Sequence, residues 1–182
     1  MTTSQCIVLT GLPASGKTTV GQRLAQALDW PLLDKDDYLE SAFARHADIG
    51  DAAWRRQLSL ESNVAFEKAA KALSRVVLVS HWRPLDAPGP SGTPCDWVPD
   101  HFETCVEVFC ECPVATAVDR FHERKRHPGH GDAARTKPEL NAWFADYAAQ
   151  LPLHIGHLVT VETETKMDVR SVITSIGAAL RG

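Results

Sequence analysis

The sequence predicts a single α/β domain over residues 1–182, its parallel sheet covered by helices on both faces. Three observations predict it. Short apolar runs alternate with helix-patterned stretches along the chain, as parallel strands joined by helical crossovers require. Between the first run and the first helix stands the octet Gly11-Leu12-Pro13-Ala14-Ser15-Gly16-Lys17-Thr18, which matches G-x-x-x-x-G-K-[ST] in the strand–helix context that the pattern demands. A length of 182 residues with 44% hydrophobic content suits one domain with a sizeable core.

Taken in order, Ile7–Leu9 is a continuous apolar run, expected of a strand buried on both faces. The helix Lys17–Leu28 carries Val20, Leu24 and Leu28 on one stripe. Pro31–Asp34 reads as a second strand, followed by a helix over about Tyr38–His46. A longer helix is expected over Asp51–Leu73, with Trp54, Leu58, Ala65, Ala69 and Leu73 inward. Arg75–Ser80 is the most strand-like segment. From Arg83 to Pro99 repeated proline and glycine argue against regular structure, and a connection this long suggests a functional loop. Thr104–Cys110 is the fourth strand, and Pro113 opens a helix expected to run to His127, where Pro128-Gly129-His130-Gly131 breaks it. A helix over Pro138–Gln150, a strand over Leu158–Val161 and a last helix started by Asp168 complete the chain.

Composition narrows the function. A net charge of −4 and a pI near 6.0 argue against a surface built for nucleic acid. Five cysteines do not suggest a disulfide scaffold, Met1–Gln5 holds no basic residue of a leader peptide, and no apolar stretch approaches a membrane span. The expectation is a cytoplasmic protein. Cys105, Cys110 and Cys112 lie in or beside the fourth strand, where free cysteine packs well, and their spacing with His122, His127 and His130 fits no standard zinc pattern.

The octet asks for a nucleoside triphosphate. Gly11 and Gly16 let the backbone curl its N–H groups around an anion, and the following helix adds its own unpaired N–H groups and dipole. Lys17 brings a point charge to the outer phosphates, and the Thr18 hydroxyl is a Mg²⁺ ligand. Pro13, Ala14, Ser15 and Thr19 complete the expected phosphate cradle. Ligands of such sheets sit at the carboxyl ends of the strands. There the sequence places Asp34-Lys35-Asp36-Asp37 after strand two, with strand alternation putting Asp34 and Asp36 on one side. Asp34 is the expected Mg²⁺ partner, and Asp36 orients or deprotonates an acceptor hydroxyl. Asp37 is the alternative for that acceptor role, or else a helix cap. After strand three come His81 and Arg83, polar groups suited to an acceptor. No acidic residue stands at that strand end, which shifts the metal role to Asp34. Arg120, Arg124 and Arg126 lie in a locally basic stretch, with Arg120 and Arg124 one helical turn apart. Arginines closing over a triphosphate stabilise the transferring phosphoryl group, and a hinged lid over about 120–137 excludes water.

Octet, aspartate-rich turn and arginine lid together resemble the nucleoside-monophosphate-kinase-like P-loop kinases. Within them the chain is most similar to the small-molecule branch: shikimate kinase, gluconate kinase, chloramphenicol phosphotransferase, the kinase domain of polynucleotide kinase and the zeta-toxin kinases. The resemblance covers the chain in element order, with the octet its most specific part. It implies the P-loop NTPase fold, a five-stranded parallel sheet in the order 2-3-1-4-5, ATP with Mg²⁺, and phosphoryl transfer to a hydroxyl. Leu33–Glu40 is similar to the shikimate kinase segment D-x-D-x-x-I/L-E, whose aspartates serve Mg²⁺ and the acceptor. Trp54-Arg55-Arg56 sits where that family has an F-R pair binding substrate carboxylate. By the same resemblance Arg120 stacks on adenine, and Arg124 or Arg126 reaches the phosphates. Ser80-His81-Trp82 departs from the shikimate kinase Gly-Gly-Gly run, and the gluconate kinase segments G-D-x-L-H-P and C-S-A-L-K are missing.

The acceptor region is therefore expected over about 34–60 and 81–100, and the function as transfer to a small-molecule hydroxyl. A nucleotide or polynucleotide 5′-kinase is the alternative, which the acidic charge disfavours for a polymer. A GTPase switch fits less well. Asp86-Ala87-Pro88-Gly89 matches D-x-x-G but stands six residues beyond Ser80, and no N-K-x-D segment exists.

Overall fold

β1 (Gln5–Thr10) is buried from Cys6 onward because it is the central strand of the sheet. The computed structural model describes residues 4–87, 91–132 and 135–181. Around β1 lie β2 (Leu32–Asp34), β3 (Arg75–Val79), β4 (Thr104–Glu111) and β5 (His157–Glu162), all paired in parallel in the order β2-β3-β1-β4-β5. This is the sheet that the sequence and its resemblance lead one to expect.

Strand alternation divides the core. Ile7 and Leu9 pack against Val20 and Leu24 of α1 (Lys17–Leu28) and Ile176 of α7 (Val169–Ala179). Cys6 and Val8 face the other way, toward Phe66 and Ala70 of α3 (Ala52–Lys71) and the fully buried Trp82. Trp82 donates its indole N–H to the Leu9 carbonyl at 2.9 Å, so a large ring is buried without an orphaned donor. A third cluster joins α5 (Val114–Glu123) to α6 (Lys137–Ala148) through Phe121, Leu140 and Phe144. Glu107 of β4 is buried yet fully used: it accepts from Thr10 Oγ1 at 2.7 Å, Leu153 N at 2.8 Å and Ile155 N at 3.2 Å. That carboxylate ties the residue before the P-loop to the connection between α6 and β5. Among the described residues no helix is long and apolar enough to cross a membrane.

Five expectations need correction. The helix after β2 is α2 (Lys35–Phe43), which begins at the strand end, with Asp34 as N-cap accepting from Asp36 N at 3.0 Å. The placement of Asp34 and Asp36 is thus set by a helix start and not by strand alternation. The inner face of α3 is Leu58, Ser62, Phe66 and Ala70; Ala65 is exposed, because the larger Phe66 ring takes the core position. Helix α5 stops at Glu123, so Arg120 and Arg124 do not share a helical face. Arg124 is extended and stacks back on the Phe121 ring at 3.8 Å. A short 3-10 turn follows at Pro128–His130. Within 83–99, Trp82 and Thr93 form a parallel bridge, and α4 (Trp97–His101) starts where Trp97 and Val98 become buried. Pro88 and Gly89 of the D-x-x-G match, and residues 133–134 of the lid stretch, lie outside the described residues.

Candidate nucleotide and acceptor site

The loop between β1 and α1 wraps on itself because its two outer glycines take left-handed backbone angles, Gly11 at φ 133° and Gly16 at φ 95°. A Cβ on Gly11 would stand 2.6 Å from the Cys110 carbonyl, so only glycine fits there. Ala14 also has positive φ, at 61°, a local strain of the kind stored at functional loops. Lys17 is buried and donates to the carbonyls of Gly11 at 2.9 Å and Leu12 at 2.6 Å; burial lowers its pKa to about 8. The buried Ser15 hydroxyl has no partner among the described residues. An orphaned hydroxyl, a curled backbone and a buried ammonium fit a phosphate group.

Thr18 donates its hydroxyl to Asp34 Oδ2 at 2.8 Å. Asp34 is buried, which raises its pKa against the hydrogen bonds from Asp36 N and Thr18. Two hard oxygen donors at this distance, beside the phosphate cradle, suit Mg²⁺. Asp36, on the first turn of α2, is paired with Arg126. Partial burial pushes its pKa up, but Arg126, His130, Lys35 and Arg124 outweigh this and hold it below the usual carboxylate value.

The basic stretch closes over these groups. Asp132 accepts at a single oxygen from Arg124 at 3.1 and 2.8 Å and from Arg126 at 3.4 Å. The 3-10 turn is docked on α2 and α3: Phe43 stacks on His127 at 5.0 Å and on Trp54 at 5.4 Å, and Arg55 donates to the Gly129 carbonyl at 2.7 Å. Arg120 reaches the other way, to the Thr163 carbonyl at 3.1 Å beyond β5.

One cavity of about 670 Å³ gathers most of the expected residues, among them Lys17, Thr18, Asp34, Asp36, Arg124 and Arg126. Its size suits a nucleotide and a small second ligand. Pro13, Ala14, Gly16, Thr19, Arg55, Arg120 and His81 also line it. Gly11 and Ser15 shape the loop from behind. Arg56 is exposed and Arg83 lies outside the lining, so neither is brought to the cavity. His81 packs on Tyr147 at 4.7 Å, and burial, with the nearby Lys17 charge, lowers its pKa to about 3, making it a neutral ring.

Several lining residues were not singled out, although all but Ser80 and Trp143 fall within the expected acceptor and lid segments. Lys35 bonds Ser59 at 2.9 Å, Ser80 bonds Thr93 at 2.6 Å, and Asp132, Arg135 and Trp143 complete the wall. A carboxylate six residues beyond Arg126 was a readable signal for Asp132; nothing in local spacing pointed to Thr93 or Trp143.

The family model described as an AAA domain matches residues 7–139. A 55-residue stretch is 46% identical to the shikimate kinase of Corynebacterium jeikeium strain K411, covering 28% of this chain and 30% of that protein. The match thus spans about a third of that curated relative's length. A solved, provisionally assigned kinase from Chloroflexus aurantiacus j-10-fl superposes with a TM-score of 0.76 at 23% identity, over 98% of this chain and 99% of the other. The shikimate kinase of Acinetobacter baumannii in complex with shikimate gives a TM-score of 0.62 at 18% identity, over 98% and 93% of the two chains. These two structures share the fold described above.

Proposed function

We propose that this chain, which belongs to the AAA domain family, is an ATP- and Mg²⁺-dependent kinase that moves the γ-phosphoryl group to a hydroxyl of a small molecule. The observation that carries the reading is that Lys17, the Thr18–Asp34 pair, Asp36 and the arginines of the lid share one cavity. A nucleotide-hydrolysing switch needs no second carboxylate beside its metal site, whereas a kinase must hold an acceptor there. The shikimate kinase relatives support the same chemistry.

Mg²⁺–ATP, when bound, supplies the transferable phosphoryl group. The P-loop N–H groups and Lys17 hold its phosphate oxygens, and Thr18 with Asp34 holds the metal. Asp36 is poorly suited to take a proton, because its surroundings hold its pKa low. Its oxygens accept a hydrogen bond from the acceptor hydroxyl and aim it. A loose phosphoryl-transfer transition state needs positioning more than a strong base. Arg124 and Arg126 place positive charge over the transferring group, and His130 of the docked turn lines the same cavity.

The test is transfer from γ-labelled ATP with Mg²⁺ to a panel of hydroxyl compounds: sugars, polyol acids, nucleosides and hydroxylated drugs. Labelled product that disappears in Lys17→Ala is expected. Acceptor-independent release of phosphate as the sole activity counts against it.

A further inference from the structure

All five cysteines are free and buried. Three of them have separate surroundings. Cys95 donates to the Arg83 carbonyl at 3.2 Å, Cys112 accepts from the Arg120 guanidinium at 3.6 Å, and Cys110 lies against Gly11 of the phosphate loop. The other two meet each other. Cys6 on β1 and Cys105 on β4 are register partners in the parallel ladder, 99 positions apart in sequence, and the Cys6 thiol lies 3.2 Å from the Cys105 sulfur.

The ladder makes this pair fit to bond. Register partners on neighbouring strands project to one face of the sheet, with the strands about 4.8 Å apart. A disulfide accepts Cα separations of about 4.4–6.8 Å, so side-chain rotation alone brings the sulfurs together. Apolar filling does not ask for two thiols in contact, since Val8, Val76 and Leu78 fill the neighbouring positions on that face. The two thiols also differ in reactivity. Burial, then the hydrogen bond to Cys105, raises the pKa of Cys6, which is fully buried. That same hydrogen bond, accepted at Cys105, lowers the pKa of Cys105 against the opposing effect of burial. Cys105 is also the member of the pair that reaches solvent, at 7% exposure. It is the attacking thiolate, and Cys6 is the resolving thiol.

We propose that Cys6 and Cys105 form a reversible oxidation site, a dithiol that hydrogen peroxide converts to a disulfide stapling β1 to β4. The Cys105 thiolate attacks one peroxide oxygen, the O–O bond breaks, and the departing hydroxide takes a proton from solvent to leave as water. Cys6 then attacks the sulfur of the Cys105 sulfenic acid. The S–S bond forms, the S–O bond breaks, and the Cys6 proton leaves with that oxygen as a second water. The two sulfurs lose two electrons and the peroxide gains them. Exchange with an added dithiol reverses the change. Each cysteine is the second residue of its strand, so the staple lies at the far end of the sheet from the phosphate loop that follows Thr10. Oxidation closes a long loop of the unfolded chain and so raises stability without entering the nucleotide cradle.

Treatment of wild type with hydrogen peroxide tests this, followed by denaturation, thiol counting and peptide mapping without reductant. Cleavage after glutamate isolates Cys105 between Glu103 and Glu107, apart from the other cysteines. The thiol count should fall from five to three, with Cys6 and Cys105 cross-linked, and return to five with dithiothreitol. The oxidised protein should unfold at a urea midpoint higher by about 1 M or more. In Cys6→Ala the sulfenic acid has no resolving thiol, so dimedone should label Cys105; in Cys105→Ala, Cys6 should remain a thiol. Five thiols after treatment of wild type, a disulfide joining any other pair, or an oxidised form that unfolds at or below the reduced midpoint overturns the proposal. Dimedone carried by a cysteine other than Cys105 in Cys6→Ala overturns it as well.

Discussion

Arg126 in the lid segment and Asp36 on the first turn of α2, ninety residues apart in sequence, form an ion pair in the cavity they both line. On the proposed kinase reading, the pair makes the aspartate a positioning group and couples the arginine segment to acceptor orientation. Either residue alone reads as a surface charge.

Asp36→Asn keeps the shape of the side chain but loses one hydrogen-bond acceptor and the charge that holds Arg126. Turnover should fall by about a hundredfold, with Mg²⁺–AMP-PNP affinity nearly unchanged. Single-turnover transfer with calorimetric nucleotide binding checks both. Near-normal turnover would remove Asp36 from the mechanism.

Lys17 has a pKa of about 8 because it is buried, and the phosphates favour its charged form. Above pH 8 the free protein has lost that proton, so binding must recover it. Nucleotide affinity should therefore decline by up to about tenfold per pH unit above pH 8, with proton uptake visible as buffer-dependent binding heat. Lys17→Ala should abolish both binding and transfer while leaving the circular dichroism spectrum intact. Affinity flat from pH 7 to 10 would contradict this account.

Asp34→Asn removes the carboxylate charge beside Thr18 while keeping one oxygen for the capping bond from Asp36 N; the oxygen that accepts from Thr18 becomes an amide NH2. The Mg²⁺ concentration for half-maximal activity should rise by about ten- to a hundredfold. Titration of Mg²⁺ at saturating ATP measures it, and an unshifted curve would place the metal elsewhere.

His81 titrates at about 3 in the folded chain against an ordinary 6.5. Between those values the unfolded state binds more protons, so stability rises with pH and is lost as pH falls below 6.5. The difference in unfolding free energy between wild type and His81→Phe should change by up to about 1.4 kcal/mol per pH unit at mildly acid pH, and level off above neutrality. Urea titrations from pH 4 to 8 measure it; parallel profiles for the two proteins would disprove the burial effect.

The strands and the phosphate loop were legible because their signals are contiguous, whereas the sheet order was implied only by the family resemblance. Gly11–Thr18 specifies its backbone shape within eight residues, and each strand announces itself as an apolar run. The aspartate turn was legible as composition but not as geometry. Its spacing suited a strand, and the early start of α2 at Lys35 became visible only with Asp34 capping it. The end of α5 was misread for a related reason: residues 124–127 carry no breaker, and the chain leaves the helix there as Arg124 turns to Phe121 and Asp132.

By itself the sequence determined the fold class, the triphosphate cradle and the presence of acidic and basic clusters at strand ends, since these depend on residues adjacent along the chain. Only the tertiary structure decided that Asp132 anchors the lid arginines, that Arg55 holds Gly129 while Arg56 and Arg83 stay out, and that Lys35 turns to Ser59 of α3. Those outcomes depend on which side chains meet across long sequence separations, and on how much water burial takes away from each charge when they do.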